Sequence, residues 1–295
     1  MKWRSLEPST HGADTRSLRE IFAQRKQKIA QYAAADTQAV HQRVIAELRS
    51  QGLAANALAV GATALSFTLP DQNGNPVCPD ELLGRGRLVL CFFRGRWDPF
   101  CCGQLEAMNQ IVPAIQDAGT SLVAVSPQTV KQSFFMADQH RLRFPVLSDA
   151  GNQVARQFRL VYRVPDEQQA IYRRAFINLP FTNGDESWEL PIPAAYILNR
   201  DATILYRWAS EDYTERPEPA ESWSVCDEGR RYRDSVSPDQ RDHREPLRAR
   251  RDVTHRGPGV IGRDDSWGSG WFDSKALAAE HLVAARVLRL QISAR

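Results

Sequence analysis

The chain has 295 residues, 38 Lys and Arg against 35 Asp and Glu, and 42% hydrophobic residues. That length suits one large domain or two small ones, and the apolar share allows a sizeable core. A net charge of +3 is too weak to argue for a nucleic-acid partner or an acidic membrane surface, and no apolar run approaches the roughly 18 residues of a membrane span.

The first 15 residues hold no apolar stretch of the kind a secretory signal needs. Five Cys in a chain this long do not make a disulfide scaffold, so the expected compartment is a reducing cytoplasm with free or catalytic thiols.

In chain order, residues 17–32 carry Leu18, Ile21, Phe22, Ile29 and Tyr32 as a rough helical stripe. Asp36 can cap a second helix bearing Val40, Val44, Ile45 and Leu48, with Gly52 as its stop. Residues 1–57 therefore read as a helical extension of packing elements without chemistry. Residues 66–69 and 76–77 flank a turn at 71–74 and predict a β-hairpin. Residues 88–93 form a continuous apolar run, as expected of a strand buried on both faces.

A helix follows, with Leu105, Met108, Ile111, Val112 and Ile115 on one side, and Pro113 is expected to kink it. Residues 122–125 give a second buried strand, 133–143 a helix, 144–147 a short strand and 154–158 the start of another helix. Residues 194–198 and 204–208 form an antiparallel pair. Strands alternating with helices and ending in a hairpin predict an α/β sandwich with a central mixed sheet over residues 58–220.

Residues 221–295 differ in texture. They hold 13 Arg and one Lys against 12 Asp and Glu, and between Cys226 and Gly270 the apolar residues are few and scattered. Such a stretch buries too little apolar surface to offset chain entropy, so 221–270 is expected to be poorly ordered. Residues 275–292 could add one terminal helix.

The chemistry concentrates where the first buried strand ends. After Phe93 comes a short turn of Arg94, Gly95, Arg96, Trp97, Asp98 and Pro99, and Cys101 and Cys102 then fall in the first turn of the next helix. A thiol there meets unpaired backbone N–H groups and the positive end of the helix dipole. Such a site lowers a Cys pKa from its free value, and thiolate is the reactive form. Arg94 and Arg96 add positive charge if either turns inward. Asp98 works in both directions. As a helix cap it would occupy donors a thiolate needs and raise the Cys101 pKa, or it could pair with Arg94 or Arg96.

Cys102 is next in sequence to Cys101, and a disulfide between neighbours is strained. Cys91 and Cys78 read as core and loop thiols, and Cys226 lies in the tail. No His (His11, His41, His140, His243, His255, His281) has metal-ligand spacing, so neither metal nor cofactor is expected.

Residues 92–101 (FFRGRWDPFC) resemble the F-Y-R-G-x-W-C-P-Y-C segment of peroxiredoxin-like proteins in the alkyl-hydroperoxide-reductase/thiol-specific-antioxidant family. Further similarity lies in residues 66–74 (SFTLPDQNG), 123–127 (VAVSP), 144–149 (FPVLSD), 188–193 (WELPIP) and 212–214 (DYT). The resemblance implies a thioredoxin-like three-layer sandwich, with residues 1–57 as N-terminal extension and a poorly ordered C-terminal tail. It puts Cys101 at the second Cys of the family's C-x-x-C, the place of a peroxidatic Cys, and Asp98 at the first Cys or at the Thr of the P-x-x-x-T-x-x-C pattern. Arg94 falls on the Pro of the P-x-x-x-T-x-x-C pattern.

Pro193 falls on the thioredoxin-type cis-Pro that packs against the active thiol. The Arg of typical peroxiredoxins would sit at about Pro193, so that Arg is missing. Trp97, Pro99 and Pro193 are then candidates to wall the substrate pocket around Cys101, Arg94 and Asp98.

The function implied is a thiol-dependent peroxidase. Hydrogen peroxide or alkyl hydroperoxides would be substrates, and thioredoxin or a glutathione-type thiol the reductant. Neither nucleic acid nor membrane is expected as partner, and a homodimer is left open. The alternative is a thioredoxin-fold binding or scaffold module that has lost redox turnover with the first Cys of the pair.

Overall fold

Residues 16–219 are described in the computed structural model of the chain. The expectations for residues 221–270 and 275–292, and for Cys226, lie outside the described residues.

Two helices come first, α1 (Leu18–Tyr32) and α2 (Ala35–Ser50). Ser17 and Glu20 form a capping box on α1. The expected Asp36 cap on α2 is not made: the N-cap is Ala34, and the Asp36 carboxylate instead accepts from the Thr37 N–H at 2.6 Å. The hairpin β1 (Leu69–Pro70) and β2 (Pro76–Val77) turns on Asp71, whose Oδ1 accepts from the N–H groups of Asn73 and Asn75.

Then follow α3 (Pro79–Arg85), β3 (Arg87–Phe92), α4 (Pro99–Asp117), β4 (Thr120–Ser126), α5 (Val130–His140) and β5 (Val146–Ser148). Next come α6 (Gln153–Gln157), β6 (Val161–Arg163), α7 (Asp166–Arg174) and α8 (Leu179–Asn183). The last elements are β7 (Glu189–Pro191), β8 (Ala194–Leu198) and β9 (Ile204–Ala209).

The main sheet has the order β5-β4-β3-β8-β9. β3 runs parallel to β4 and antiparallel to β8, so the sheet is mixed and β3 lies at its centre. Strand alternation explains its continuous apolar sequence. Leu88, Leu90 and Phe92 face a core with Phe158 and Tyr196. Val89, Cys91 and Phe93 face the opposite core, with Leu105 and Met108 of α4 and Met136 of α5. A third cluster, Val164, Ile171, Tyr172, Leu179, Trp188 and Leu190, joins α7 and α8 to the small β6–β7 sheet. Among the described residues no helix is long and apolar enough to cross a membrane.

Helix α4 runs without a break through Pro113. Proline removes the N–H that would have served the carbonyl four residues earlier. That carbonyl belongs to Asn109, and the Arg143 guanidinium donates to it instead. The Asn109 side chain adds bonds to the Arg143 N–H (2.8 Å) and the Arg141 carbonyl (3.0 Å). The loop after α5 thus repairs the helix at its one weak point.

At Gly86 the chain passes so close to the next βα unit that an added Cβ would lie 1.6 Å from the Gly119 carbonyl oxygen. Backbone rather than a flexible side chain blocks the space. Gly86→Ala is expected to lower stability by about 1–3 kcal/mol, the usual range for overpacking, measured as a lower urea midpoint.

Candidate active site

Asp98 is the N-cap of α4 and Pro99 its first residue, where proline's missing N–H costs nothing. Asp98 Oδ1 accepts from the Phe100 N–H at 2.9 Å, as a cap should. Its other oxygen faces the thiol and both guanidinium groups. The Cys101 thiol donates to Asp98 Oδ2 at 3.0 Å. Arg94 Nη1 lies 3.4 Å from the same oxygen, and Arg216 Nη2 lies 3.9 Å from it. Arg216 Nη2 also donates to Cys101 Sγ at 3.1 Å, and the Arg94 backbone N–H donates to it at 3.4 Å. The thiol therefore sits between one carboxylate and two guanidinium groups, all buried.

Arg94 is 1% exposed and caged by rings. Its guanidinium lies 4.2 Å from the Tyr213 ring centre and 4.8 Å from that of Trp97, and Nη2 donates to the Tyr172 hydroxyl. These are cation–π distances. Tyr172 comes from α7, and it also faces His41 of α2 at 6.1 Å between ring centres. His41 Nδ1 pairs with Gln168 Nε2 at 2.8 Å, and burial, helped by the Arg94 charge, pushes its pKa down to about 4. His41 is thus neutral at neutral pH and part of the wall, not a solvated surface histidine.

The helix-start argument for a lowered Cys101 pKa fails here. Burial, then the Asp98 charge, push the thiol up to about 12, against a smaller downward pull from Arg216 and Arg94. Desolvation disfavours a buried anion, and the cap residue that should leave room for a thiolate carries a negative charge of its own. Burial also raises Cys91, to about 12, and Cys102. Cys102 Sγ donates to the Arg96 carbonyl at 3.3 Å, away from Asp98. Cys78, Cys91, Cys101 and Cys102 are all free thiols.

Arg94, Asp98, Trp97 and Cys101 thus come together as the sequence implied. Arg96 does not: its side chain turns to Gln132 and lies over the Phe135 ring. Pro99 is half-buried at the helix start, where its carbonyl accepts from Arg25. Pro193 is buried just before β8, but among the described residues no peptide bond is cis, so the cis-proline expectation is wrong. Its carbonyl accepts from the Ser210 N–H at 3.2 Å.

A second guanidinium, which the sequence reading did not name, enters from elsewhere, as Arg216. Its Nε donates to Gln104 Oε1 and its Nη1 to the Tyr213 and Glu215 carbonyls, each at 2.6 Å. The signal for it was slight: Arg216 follows Asp212-Tyr213-Thr214, the last stretch of family similarity. Tyr172 had no signal, because α7 itself was missed. Among the described residues no cluster of three or more His, Cys, Asp or Glu could hold a metal ion.

A family model described as the AhpC/TSA family matches residues 60–207, half of the chain. The putative peroxiredoxin Rv1608c of Mycobacterium tuberculosis is 29% identical over 117 residues, which are 40% of this chain and 76% of that protein. Peroxiredoxin Bcp of Escherichia coli is 29% identical over 103 residues, 35% of this chain and 65% of its own length. Chloroplastic peroxiredoxin Q of Sedum lineare is 31% identical over 98 residues, 33% and 52% of the two chains. A crystal structure of peroxidoxin BcpB from Mycobacterium tuberculosis superposes with a TM-score of 0.47 at 22% identity, covering 59% of this chain and 97% of that one.

The Asp98 charge can be tested directly. Asp98→Asn removes the second-largest cause of the raised thiol pKa and leaves two guanidinium groups facing Sγ. The Cys101 pKa is expected to fall from about 12 by roughly one unit or more, read as a downward shift of the alkylation pH profile. An unchanged or raised profile would contradict this assignment.

Proposed function

The chain belongs to the AhpC/TSA family, and we propose that it works as a thiol-dependent peroxidase of the peroxiredoxin type with Cys101 Sγ as the reacting atom. The observation that carries this reading is the contact set on that sulfur: a proton acceptor at 3.0 Å and a guanidinium donor at 3.1 Å.

Asp98 Oδ2 takes the thiol proton as Sγ attacks the nearer peroxide oxygen. The S–O bond forms, the O–O bond breaks, and Asp98 returns the proton to the departing oxygen as water or an alcohol. Cys101 is left as sulfenic acid. With the proton on Asp98, the thiolate faces two guanidinium groups and the cluster keeps its single net positive charge. Arg216, already bonded to Sγ, and Arg94 are placed to hold charge that develops along the O–O bond.

Cys101 is fully buried, and attack needs the peroxide oxygen within about 3–3.5 Å of sulfur, so turnover includes an opening step. One external thiol then displaces water from the sulfenic acid to form a mixed disulfide. A second releases Cys101 and leaves as the oxidised pair. With Asp98 in the first-Cys place and Cys102 turned to the Arg96 carbonyl, an external reductant of the thioredoxin or glutathione kind is the reading we adopt. A reducing cytoplasm suits it. Residues 58–220 would form the catalytic unit, with helix α1 packed on its α4 and α2 on its α7.

Two substitutions test the reacting atom. Cys101→Ser is expected to abolish peroxide-dependent sulfenic acid formation, while Cys102→Ser keeps most of it, with mass spectrometry after stoichiometric peroxide locating the modification. Oxidation confined to Cys102, or none at any thiol while a control peroxidase reacts, would rule the mechanism out.

A further inference from the structure

Arg216 reaches Cys101 from a strap, residues 210–219, that follows β9. Its guanidinium is fully buried. Two residues further on, the Glu218 carboxylate meets the start of α1. Glu218 Oε2 accepts from the Leu18 N–H at 3.0 Å, and Oε1 accepts from the Arg19 N–H at 2.7 Å.

These two amides are the ones the local cap leaves over. Glu20 accepts from the Ser17 N–H at 2.8 Å, and Ser17 Oγ accepts from the Glu20 N–H at 3.2 Å. A helix start has four amides without intrahelical partners, and a carboxylate spanning two of them also meets the positive end of the dipole. Only Pro217 separates Glu218 from Arg216, and its ring fixes φ, so the position of residue 218 is passed on to residue 216.

Glu211 Oε1 accepts from the Ala54 N–H at 2.7 Å and the Ser210 N–H donates to the Pro193 carbonyl at 3.2 Å, ties that hold the start of the strap rather than its end. Lys26 pairs with Asp212 at 3.2 Å and Arg49 with Glu215 at 3.6 Å, but both cationic side chains are more than half exposed. Exposed pairs of this kind hold little. Arg216 itself adds bonds to Gln104 and the strap carbonyls, which shape its side chain but do not fix the strap end.

We propose that Glu218 is a positioning residue for the thiol chemistry: by gripping the first two amides of α1 it holds Arg216 Nη2 on Cys101 Sγ. Helix α1 then belongs to the active site as the anchor of its second guanidinium. The biological meaning of this inference rests on the peroxidase reading; its geometry does not.

The test uses alkylation of Cys101 by iodoacetamide on the full chain, followed by mass spectrometry between pH 8 and 9, with circular dichroism checking that each variant is folded. Loosening Arg216 removes a downward pull on the thiol pKa, so Glu218→Ala is expected to slow Cys101 alkylation about tenfold, the equivalent of one pKa unit. Glu218→Gln keeps an oxygen acceptor and is expected to lose less.

In an Arg216→Ala background, Glu218→Ala should change the rate by less than about twofold, because the residue it acts through is gone. The same fold loss in both backgrounds, no loss, or faster alkylation in Glu218→Ala would overturn the proposal. Peroxide consumption by the unmodified chain is measured beside it. If none is seen while the alkylation pattern holds, the peroxidase reading fails and the positioning role stands.

Discussion

The candidate active site is organised around one buried carboxylate. Asp98 is 1% exposed, yet it caps α4, accepts the Cys101 thiol and faces both Arg94 and Arg216. A buried charge without partners is costly, so this residue imposes requirements on distant parts of the chain. The end of β3 supplies Arg94, and α7 supplies the Tyr172 hydroxyl to which Arg94 Nη2 donates. The strap after β9 supplies Arg216. Removing any one guanidinium would leave Asp98 facing a thiol with half its counter-charge.

Opposing forces set the state of that thiol. Burial and Asp98 hold it protonated, with a pKa of about 12, while the two guanidinium groups pull the other way. The closed site therefore stores a thiol with its proton acceptor already bonded. Desolvation outweighs the Asp98 charge, so an opening that lets water or peroxide reach Sγ weakens the stronger brake first. Asp98 and the arginines would still be in place when it does. Protection of the resting thiol and readiness to ionise thus come from the same contacts.

Much of the fold was legible because strong periodic signals carried it. The run at residues 88–93 predicted β3, and the central hairpin β8–β9 was placed within a residue. Helix α7 was missed because its buried face is largely polar: Gln168 and Gln169 sit beside Ile171 and Tyr172. Glutamine at a buried position gives no hydrophobic period, and these two are buried only because His41, the Val164 carbonyl and Asp166 offer partners. In the site, Cys101, Arg94, Asp98 and Trp97 lie within eight residues and were found together. Arg216 is 115 residues from Cys101 in sequence, and no local pattern links them.

Asp98 also changes what the family's two-residue spacing means. A Cys in that slot could close a disulfide with Cys101 and resolve its own oxidation. An Asp there has nearly the same reach, shown by the 3.0 Å contact with Sγ, but offers a proton acceptor instead of a second electron donor. On the peroxidase reading proposed above, the resolving step then falls to a thiol outside the chain. The substitution also gives a second positive group a place, since in the resting site one arginine is matched by the carboxylate until that carboxylate takes the proton. Arg216 is that second group. Its delivery by a strap pinned to α1 explains why this helix, with no reactive residue of its own, lies over the start of α4, with Phe22 against Phe100 and Arg25 on the Pro99 carbonyl.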